Sequence, residues 1–279
     1  MEIQQLNKSN IPDLLSLCKA VGWLQHESFM KTQFEMYLSV GTLFGCIHNK
    51  TLIAAGGVFP FESGFSSIGM LIVHPNFQKQ GLGRMLLDTC TQIAPASLPI
   101  MLIATDVGVP LYQSNGFTTT TTIHRFEKLV THTPINTSHL KQVHLHDLES
   151  LIKLDQIATG AHRSHLYSLL LNRATFAFKI ERNDRIEAFA LCIQKGDTLC
   201  VTPLIANHEE DAIHVLQTIC KTWNGTIRID IPHSQFTFRE YLQTENFQET
   251  LLSPLMIKNG SRLSGNRNIL FAMMDTAVC

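Results

Sequence analysis

The segment from Ile68 to Leu87 combines an apolar strand, a short polar loop and a helix that begins with glycines. The apolar run ends at Val73, and Gly81 and Gly83 open the periodic segment that follows. The N–H groups in the first turn of a helix have no partner within the helix, so they attract anions such as phosphate. Glycine has no Cβ atom, which lets a phosphate approach these donors closely. The pattern therefore predicts a loop that holds a pyrophosphate.

Two cations, Lys79 and Arg84, flank this loop and would add positive charge beside a bound pyrophosphate. Other phosphate-binding loops fit the residues less well. The chain contains no Gly-x-x-x-x-Gly-Lys-Ser/Thr run of the kind that binds nucleoside triphosphates. A dinucleotide fingerprint needs a small residue three positions after Gly83, where Leu86 stands. On the glycines alone, a plain loop before a helix stays open as an alternative.

A second pattern, Leu-Tyr-x-x-x-Gly-Phe at positions 111–117, follows the next apolar segment. Together with Gln-x-x-Gly-x-Gly at positions 78–83, it resembles the two landmarks of the GCN5-related N-acetyltransferases, the GNAT family. In that family the first motif holds the pyrophosphate of acyl-CoA, and the second follows in the same order and separation. The resemblance covers residues 1–127 and implies an N-acetyltransferase domain that binds acetyl-CoA.

By this resemblance, the cofactor would lie between two parallel strands that splay apart, here within 68–73 and 99–104. Backbone groups near Leu71 and Val73 would pair with pantetheine as with an added strand and would polarise the thioester carbonyl. The residues to which the resemblance assigns cofactor binding are Leu71, Ile72, Val73, Gln78, Lys79, Gln80, Gly81, Leu82, Gly83 and Arg84.

The resemblance also implies direct attack by the acceptor amine, with no covalent enzyme intermediate. It gives Tyr112 the role of the acid that protonates the departing CoA thiolate, and packing of this ring in the core is the alternative. Reference pKa values near 10 for tyrosine and 8.5 for a thiol make that proton transfer uphill. General acid catalysis typically raises a rate about 10²–10⁴-fold, and we expect the low end of that range here. The base stays unassigned: Glu27, Glu62 and Asp106 are near in sequence but typical of surface charges, and a chain of water is an alternative.

The elements that must position these residues alternate between strands and helices over the first half of the chain. Apolar residues at helical spacing between Ile11 and Val21 predict the first helix, and Gly22 suits the position after its end. Trp23 comes next, in the region where the first helices of the family cover the acceptor. Two roles of its side chain stay open: it forms a wall of the acceptor site, or it packs in the core. The predicted strands are 2–6, 42–48, 51–59, 65–73, 99–104 and 116–123, and the other predicted helices are 28–38, 81–93 and 109–114.

The polar segment 128–137 has no clear periodicity and is predicted to be a linker. Beyond it, residues 138–279 repeat the order of elements, with Asn246-Phe247 where the first half has Gly-Phe. This half resembles, more loosely, the degenerate second domain of tandem bacterial members of the family. The predicted strands here are 175–180, 186–193, 198–205, 225–231 and 251–257, and the predicted helices begin near 147, 163, 208 and 235.

The second half has no Gln/Arg-x-x-Gly-x-Gly loop before its helix at 207–221. We therefore predict that it holds no CoA and that it shapes the substrate site or supports the fold. The expected fold class is α+β, with two tandem GNAT-like domains that each have a mixed, mostly antiparallel sheet flanked by helices. The predicted domains are 1–127 and 138–279.

The chain has 279 residues, of which 44% are hydrophobic and 16% are charged, a composition that excludes a disordered protein. Lys and Arg total 22 and Asp and Glu total 23, so the basic surplus of a non-specific nucleic-acid binder is missing. No apolar run reaches the roughly 18–20 residues of a membrane helix, and the first residues show no secretory signal. With seven cysteines and no Cys-x-x-Cys pair, we expect free thiols and a cytoplasmic protein without membrane or nucleic-acid partners.

Two pairs of histidines, at 144–146 and 162–165, have spacings that occur in metal sites. The sequence fixes no third ligand for either pair, and we expect no metal. Asp155 and Arg163 are predicted to form a structural ion pair.

These patterns favour an acetyl-CoA-dependent N-acetyltransferase that acts on the primary amine of a small molecule. An acyl-CoA-binding sensor without turnover is the alternative from another class, and acetylation of a protein or peptide is a third hypothesis. The intact loop and Tyr112 favour the enzyme, whereas the lack of a carboxylate in 66–73 favours the sensor. The acceptor, the acyl-chain length and the oligomeric state stay open.

Overall fold

A computed structural model describes residues 2–131 and 140–278 of the chain. Its helices are α1 (Ile11–Ala20), α2 (Glu27–Val40), α3 (Leu82–Ile93), α4 (Val109–Ser114), α5 (Leu148–Thr159), α6 (Ser164–Arg173), α7 (Glu209–Thr222) and α8 (Phe236–Thr244). Its strands are β1 (Ile3–Gln5), β2 (Thr42–His48), β3 (Thr51–Phe61), β4 (Phe65–Val73), β5 (Ile100–Ile103), β6 (Thr118–Val130), β7 (Lys141–Gln142), β8 (Phe176–Arg182), β9 (Arg185–Lys195), β10 (Thr198–Ala206), β11 (Gly225–Pro232), β12 (Gln248–Lys258) and β13 (Leu270–Ala272). All the predicted helices and strands are present, whereas β7 and β13 were not predicted.

The strands of the two halves form one continuous sheet rather than two separate sheets. Its order among the described residues is β1-β2-β3-β4-β5-β12-β6-β11-β10-β9-β8-β7, and β13 is attached to β10. The pairs β4–β5 and β10–β11 are parallel, and the other described pairs are antiparallel. The predicted α+β class with a mixed, mostly antiparallel sheet is therefore confirmed.

Two strands are exchanged between the halves at the centre of this sheet. Strand β12 of the second half lies between β5 and β6 of the first, and β6 pairs on its other edge with β11 of the second half. The β-branched threonines at 118–122 form the start of β6 and pair with β12. The predicted linker 128–137 is divided, because residues 128–130 complete β6 and residues 132–137 lie outside the described residues.

One apolar core joins the two halves. Helices α1 and α2 of the first half and α5 and α6 of the second contribute to a single buried cluster on one face of the sheet. The opposite face is covered by α3 in the first half and by α7 and α8 in the second. Successive residues of a strand point to opposite faces, and accordingly Leu43 and Phe44 belong to different clusters. The shared cluster and the exchanged strands hold the halves in one arrangement.

The predicted pair of Asp155 and Arg163 is present and fully buried at the α5–α6 junction. The Arg163 guanidinium donates from Nε to Asp155 Oδ2 at 2.9 Å and from Nη2 to Oδ1 at 2.5 Å. It also donates to the carbonyl oxygen of Val278 at 3.1 Å. This pair therefore ties the last described residues of the chain to two helices of the second half.

Each half contains two parallel strands that pair at one end and then diverge. In the first half, β4 and β5 pair only at Ser66 with Ile100 and at Ser67 with Met101, and a cavity lies beyond this point. In the second half, β13 fills the corresponding gap. Strand β13 pairs with β10, and the N–H of Met273 donates to the carbonyl oxygen of Asp230 on β11 at 2.8 Å. The first gap is therefore open to a ligand, whereas the chain itself occupies the second.

Candidate active site

A cavity of about 420 Å³ begins between the diverging strands β4 and β5 and extends to the second half. Its first wall consists of residues 68–71 of β4 and 103–105 at the end of β5. Helix α2 and the preceding segment form a second wall, which includes Trp23. Trp23 is 42% exposed, so it borders the cavity and is not a core residue. Side chains from β9, β10 and β11 close the cavity on the side of the second half.

The loop before α3 has the free donors that a phosphate site needs. Lys79 and Gly81 both have left-handed backbone, with φ of 60° and 84°. Gly81 caps α3 without any side-chain hydrogen bond. Within the described residues, the N–H groups of Lys79, Gln80 and Gly81 donate to no acceptor. Successive free N–H groups in such a turn form a concave site for an anion.

Space beside the loop is open at one glycine and filled at the other. A Cβ atom at Gly81 would meet no atom within 4 Å, so a ligand can approach the backbone there. A Cβ atom at Gly83 would lie 3.3 Å from Leu111 Cδ2, so Gly83 also allows α3 to pack closely against α4. Leu82 is buried, and its side chain anchors the start of α3 in the apolar core.

The other predicted residues of the loop hold its shape or lie at its edge. Gln78 donates from Nε2 to the carbonyl oxygen of Val73 at 3.2 Å, and Gln80 donates to that of Asn76 at 3.4 Å. The Arg84 guanidinium reaches the carbonyl oxygen of Ser114 at 3.5 Å. The structure therefore brings the predicted loop residues together with the C-terminal end of β4.

Strand β4 contains a bulge just before the predicted pantetheine contacts. Gly69 pairs with Gly57 and Ile72 with Ala55, so Met70 and Leu71 together face one residue of β3. Met70 has a φ of 55°. A bulge bends its strand and changes the direction of the backbone groups that follow. Leu71 lines the cavity, whereas the Ile72 side chain packs in the core and leaves only its backbone for a ligand. The Val73 side chain packs against the core on the α3 face.

Tyr112 on α4 lines the cavity, and its ring packs edge-to-face against Phe117 at 6.0 Å between centroids. Its hydroxyl has no hydrogen-bond partner among the described residues. Burial raises the pKa of Tyr112 to about 12, with a smaller contribution from Cys90. The hydroxyl is therefore protonated at neutral pH and can donate a hydrogen bond into the cavity.

The second half has no tyrosine at the matching position. The N–H of Phe117 donates to the carbonyl oxygen of Tyr112 at 3.1 Å, and the N–H of Phe247 donates in the same way to Leu242 at 2.9 Å. Leu242 thus takes the place of Tyr112. The first turn of α7 also carries three acidic residues, Glu209, Glu210 and Asp211, where α3 carries none. A cluster of carboxylates at a helix start repels phosphate, which supports the prediction that this half holds no CoA.

Sequence reasoning missed a carboxylate in the cavity, Asp275. Its Oδ1 accepts from the Tyr37 hydroxyl at 2.9 Å and from the N–H of Ala277 at 2.8 Å. Its Oδ2 accepts from Gln33 Nε2 at 3.2 Å. Burial raises the pKa of the Asp275 carboxyl, and burial, with a smaller contribution from the charge of Asp275, raises the pKa of Tyr37. No motif marks Asp275, since the path of the chain alone brings it to the cavity.

The three carboxylates considered as bases from the sequence do not reach the cavity. Glu27 begins α2, Glu62 follows β3, and Asp106 lies in the turn before α4. All three are exposed, and none of them lines the cavity. These carboxylates are therefore near the motifs in sequence but do not lie at the cavity in the structure.

A cluster of charged side chains from the sheet lines the far side of the cavity. Asp230 accepts from Arg125 Nε at 2.9 Å and from Arg228 Nη2 at 2.5 Å. Burial disfavours ionisation of Asp230, but the two guanidinium groups outweigh this effect and lower its pKa. Lys195 lies in the same cluster, where burial and the charge of Arg228 lower its pKa.

The described residues contain no group of three or more His, Cys, Asp or Glu side chains that could hold a metal ion. The rings of His144 and His146 stack at 5.4 Å between centroids. Six cysteines in the described part of the chain are free thiols. None of the helices in 2–131 and 140–278 has the length and apolar character that a membrane crossing requires.

Two family models match the chain, and both represent an acetyltransferase (GNAT) domain. One covers residues 39–119 and the other residues 151–272. The chain is also 25% identical over 262 residues to the uncharacterized N-acetyltransferase YitH of Bacillus subtilis strain 168. The alignment covers 91% of this chain and 90% of that relative.

Solved structures share the fold over almost the whole chain. A candidate acetyltransferase from Pyrococcus horikoshii superposes with a TM-score of 0.84 at 19% identity, covering 100% of this chain and 95% of that one. A tandem GNAT protein from the clavulanic acid biosynthesis pathway superposes with a TM-score of 0.65 at 10% identity, covering 93% of this chain and 98% of that one. The arrangement of two joined halves is thus found in other proteins.

Proposed function

This chain belongs to the GNAT acetyltransferase family and contains two domains of it, and on that premise we propose that it transfers an acetyl group from acetyl-CoA to the primary amine of a small molecule. The observation that supports this function best is the open gap between β4 and β5. Tyr112 and Asp275 line the cavity beside this gap, and β4, which forms one of its walls, is followed by the loop that carries the free N–H groups of residues 79–81. The proton-transferring groups therefore lie in the cavity, and the donor-binding loop follows the strand that forms one of its walls.

The residues present fit acetyl-CoA. The free N–H groups of Lys79, Gln80 and Gly81 would hold the pyrophosphate, with the charges of Lys79 and Arg84 beside it. The backbone after the β4 bulge, at Leu71–Val73, would pair with the pantetheine arm. The bound donor supplies an activated thioester carbonyl and a thiolate leaving group.

Two proton transfers remain for side chains of the cavity. An amine is mostly protonated at neutral pH, and we assign the Asp275 carboxylate as the acceptor of the proton that the amine must lose. A pKa raised by burial makes a carboxylate a better base. Tyr112 would donate its hydroxyl proton to the sulfur as the carbon–sulfur bond breaks, while the amine nitrogen forms the new bond to the carbonyl carbon.

The two walls that flank the cavity favour a small acceptor. Residues of α2 and of the preceding segment form one wall, and strands of the second half close the opposite side. An extended peptide would need an open groove across the sheet, and these two walls occupy that place. The second half therefore contributes to acceptor binding and not to donor binding.

Two measurements test the proposed function. Thermal unfolding with acetyl-CoA, CoA, NAD and ATP in parallel should show a shift with the two CoA compounds only, because a ligand at about 100 times its Kd stabilises by roughly 2.7 kcal/mol. Loss of thioester absorbance with a panel of primary amines should then show turnover. Binding without turnover of any amine would favour the sensor, and no shift with any compound would contradict the donor site.

The variant Lys79→Glu tests the loop, and Lys50→Glu is its matched control. Both lysines are exposed and have left-handed backbone, with φ of 60° and 65°, so the two variants change charge and conformation equally. We expect Lys79→Glu to raise the Kd for acetyl-CoA about tenfold, as a lost charge pair and a new repulsion predict. Lys50→Glu should leave that Kd unchanged. Equal affinities for the two variants would contradict the assignment of the pyrophosphate to this loop.

A further inference from the structure

We propose that the acceptor carries an oxyanion, a carboxylate or a phosphate, in addition to its amine, and that Lys195 and Arg228 bind this oxyanion. The inference rests on the proposed function and names the class of the acceptor. It concerns the far side of the cavity, where β9 and β11 of the second half contribute these two side chains.

The cavity has an excess of positive charge. Three cationic side chains, Arg125, Lys195 and Arg228, line it together with two carboxylates, Asp230 and Asp275. With all five groups ionised, the lining therefore carries a net charge of +1. A cavity that accepted an amine without any anionic group would be expected to show the opposite excess, because the amine is itself cationic before it reacts.

Neither carboxylate forms an ion pair with Lys195, although the charge of Asp275 acts on it from a longer distance. Asp230 already accepts bidentate hydrogen bonds from Arg125, at 2.9 and 3.3 Å, and from Arg228, at 3.1 and 2.5 Å. Asp275 accepts from Tyr37, Gln33 and the N–H of Ala277. Within the described residues, no carboxylate oxygen lies within 4 Å of Lys195 Nζ.

Lys195 is held in a position where an unpaired charge is unfavourable. It ends β9, is half-buried, and its Nζ lies 5.7 Å from the centroid of the Phe29 ring. The charge of Arg228 acts on it from β11, which β10 separates from β9. A cation that is removed from water without a counter-ion destabilises the protein, and a bound oxyanion would remove this penalty.

Two sides of the cavity offer different groups, although the charge of Asp275 also acts on Lys195 and Arg228. Asp275 and Tyr37 lie on the side of β4, where Ala277 packs against Gly69, and they suit the amine. Lys195 and Arg228 lie on the side of the second half and suit the oxyanion. An acceptor with an amine at one end and an oxyanion at the other would be oriented by both ends at once.

Matched acceptors test this inference. Glycine, 4-aminobutyrate and 6-aminohexanoate are compared with the amides of the same acids, and phosphoethanolamine is compared with ethanolamine. We expect at least one oxyanion-bearing amine to exceed its neutral partner at least tenfold in kcat/KM. The first three pairs report on a carboxylate, and the last reports on a phosphate. A wild-type protein that turns over neutral amines and shows no preference within any pair would overturn the inference but not the proposed function.

The variant Lys195→Met removes the charge and retains the apolar stem, and Lys31→Met is its control on the exposed side of α2. For the preferred acceptor, we expect Lys195→Met to raise KM about 10- to 100-fold, as the loss of a charge-assisted hydrogen bond predicts. The Kd for acetyl-CoA should stay unchanged, and Lys195→Arg should recover part of the acceptor affinity. An unchanged KM in Lys195→Met would overturn the assignment.

A binding measurement separates this inference from the proposed function. Thermal unfolding in the presence of CoA is followed with each acceptor pair, for the wild type and for Lys195→Met. Stabilisation by an oxyanion-bearing amine that disappears in the variant would support the inference even without turnover. If CoA binds but none of these amines stabilises the wild type, the inference is wrong. Loss of CoA binding itself would instead contradict the proposed function.

Discussion

Replacement of Tyr112 by Phe removes one hydroxyl from the cavity and leaves the rest of the ring in place. The edge-to-face contact with Phe117 is retained, and no hydrogen bond is lost, since the hydroxyl has no partner among the described residues. We therefore expect the free energy of unfolding to change by less than about 0.5 kcal/mol. Any large effect on turnover would then come from chemistry and not from folding.

The size of the kinetic effect follows from the pKa of Tyr112. Burial raises that pKa to about 12. A thiol has a reference pKa of about 8.5, so full proton transfer to the thiolate is uphill by about 3.5 pKa units, or about 5 kcal/mol. Tyr112 can therefore assist the departure of the thiolate only while the carbon–sulfur bond breaks. Its hydroxyl would then donate a hydrogen bond to the sulfur and transfer the proton in part. We expect Tyr112→Phe to lower kcat about 10²-fold, the low end of general acid catalysis.

The assay follows the loss of thioester absorbance, so the thiols of the protein do not interfere. The KM for acetyl-CoA should stay close to that of the wild type, because the binding loop is unchanged. Tyr241→Phe is the control, as this half-buried tyrosine on α8 lies outside the cavity. A wild-type kcat in Tyr112→Phe, or an equal loss in the control, would refute the acid role.

Two further variants test the base and the buried ion pair. Asp275→Asn should lower kcat/KM about 10²-fold and remove the acidic limb of the pH profile of kcat/KM. Because burial raises the pKa of Asp275, ionisation of this carboxyl opposes folding. The free energy of unfolding should therefore fall as the pH rises from the pKa of Asp275 in the unfolded chain to its raised pKa in the folded protein, and this slope should vanish in the variant. An acidic limb that persists would show that another group is the base. Asp155→Asn should cost about 3–5 kcal/mol in urea unfolding, because it removes the carboxylate charge that accepts two hydrogen bonds from the buried Arg163 guanidinium. Glu149→Gln, in the exposed pair with Lys153, should leave the midpoint of urea unfolding almost unchanged, and similar losses of stability in both variants would contradict the argument.

The proposed donor side of the site was predicted from the sequence because its signals are local. A phosphate loop needs glycines beside a helix start, and the spacing 78–83 shows them directly after an apolar strand. Tyr112 follows from a short motif on one helix. The strands and helices themselves follow from apolar periodicity, which depends on neighbours within one element.

The acceptor side could not be read in the same way. Asp275, Lys195 and Arg228 are ordinary charged residues far apart in the chain, and only the fold brings them to one cavity. The exchange of β6 and β12 is equally invisible, because the apolar pattern of a strand does not specify which strand it pairs with. Strand β13 is too short for a periodic signal, and its position beside β10 depends on the cavity that it fills.

The exchange of β6 and β12 gives the molecule the architecture of a twofold dimer that has been joined into a single polypeptide. If residues 1–127 were separated from the rest, the edge of β5 would lose its neighbour, and β6 would present both of its edges. Two such fragments could satisfy these edges by lending their β6 strands to each other, since β6 and β12 hold equivalent places. In the intact chain, covalent linkage fixes the stoichiometry of this dimer. Under the proposed function, one member of this joined pair lacks a donor site and forms the wall on the acceptor side of the cavity.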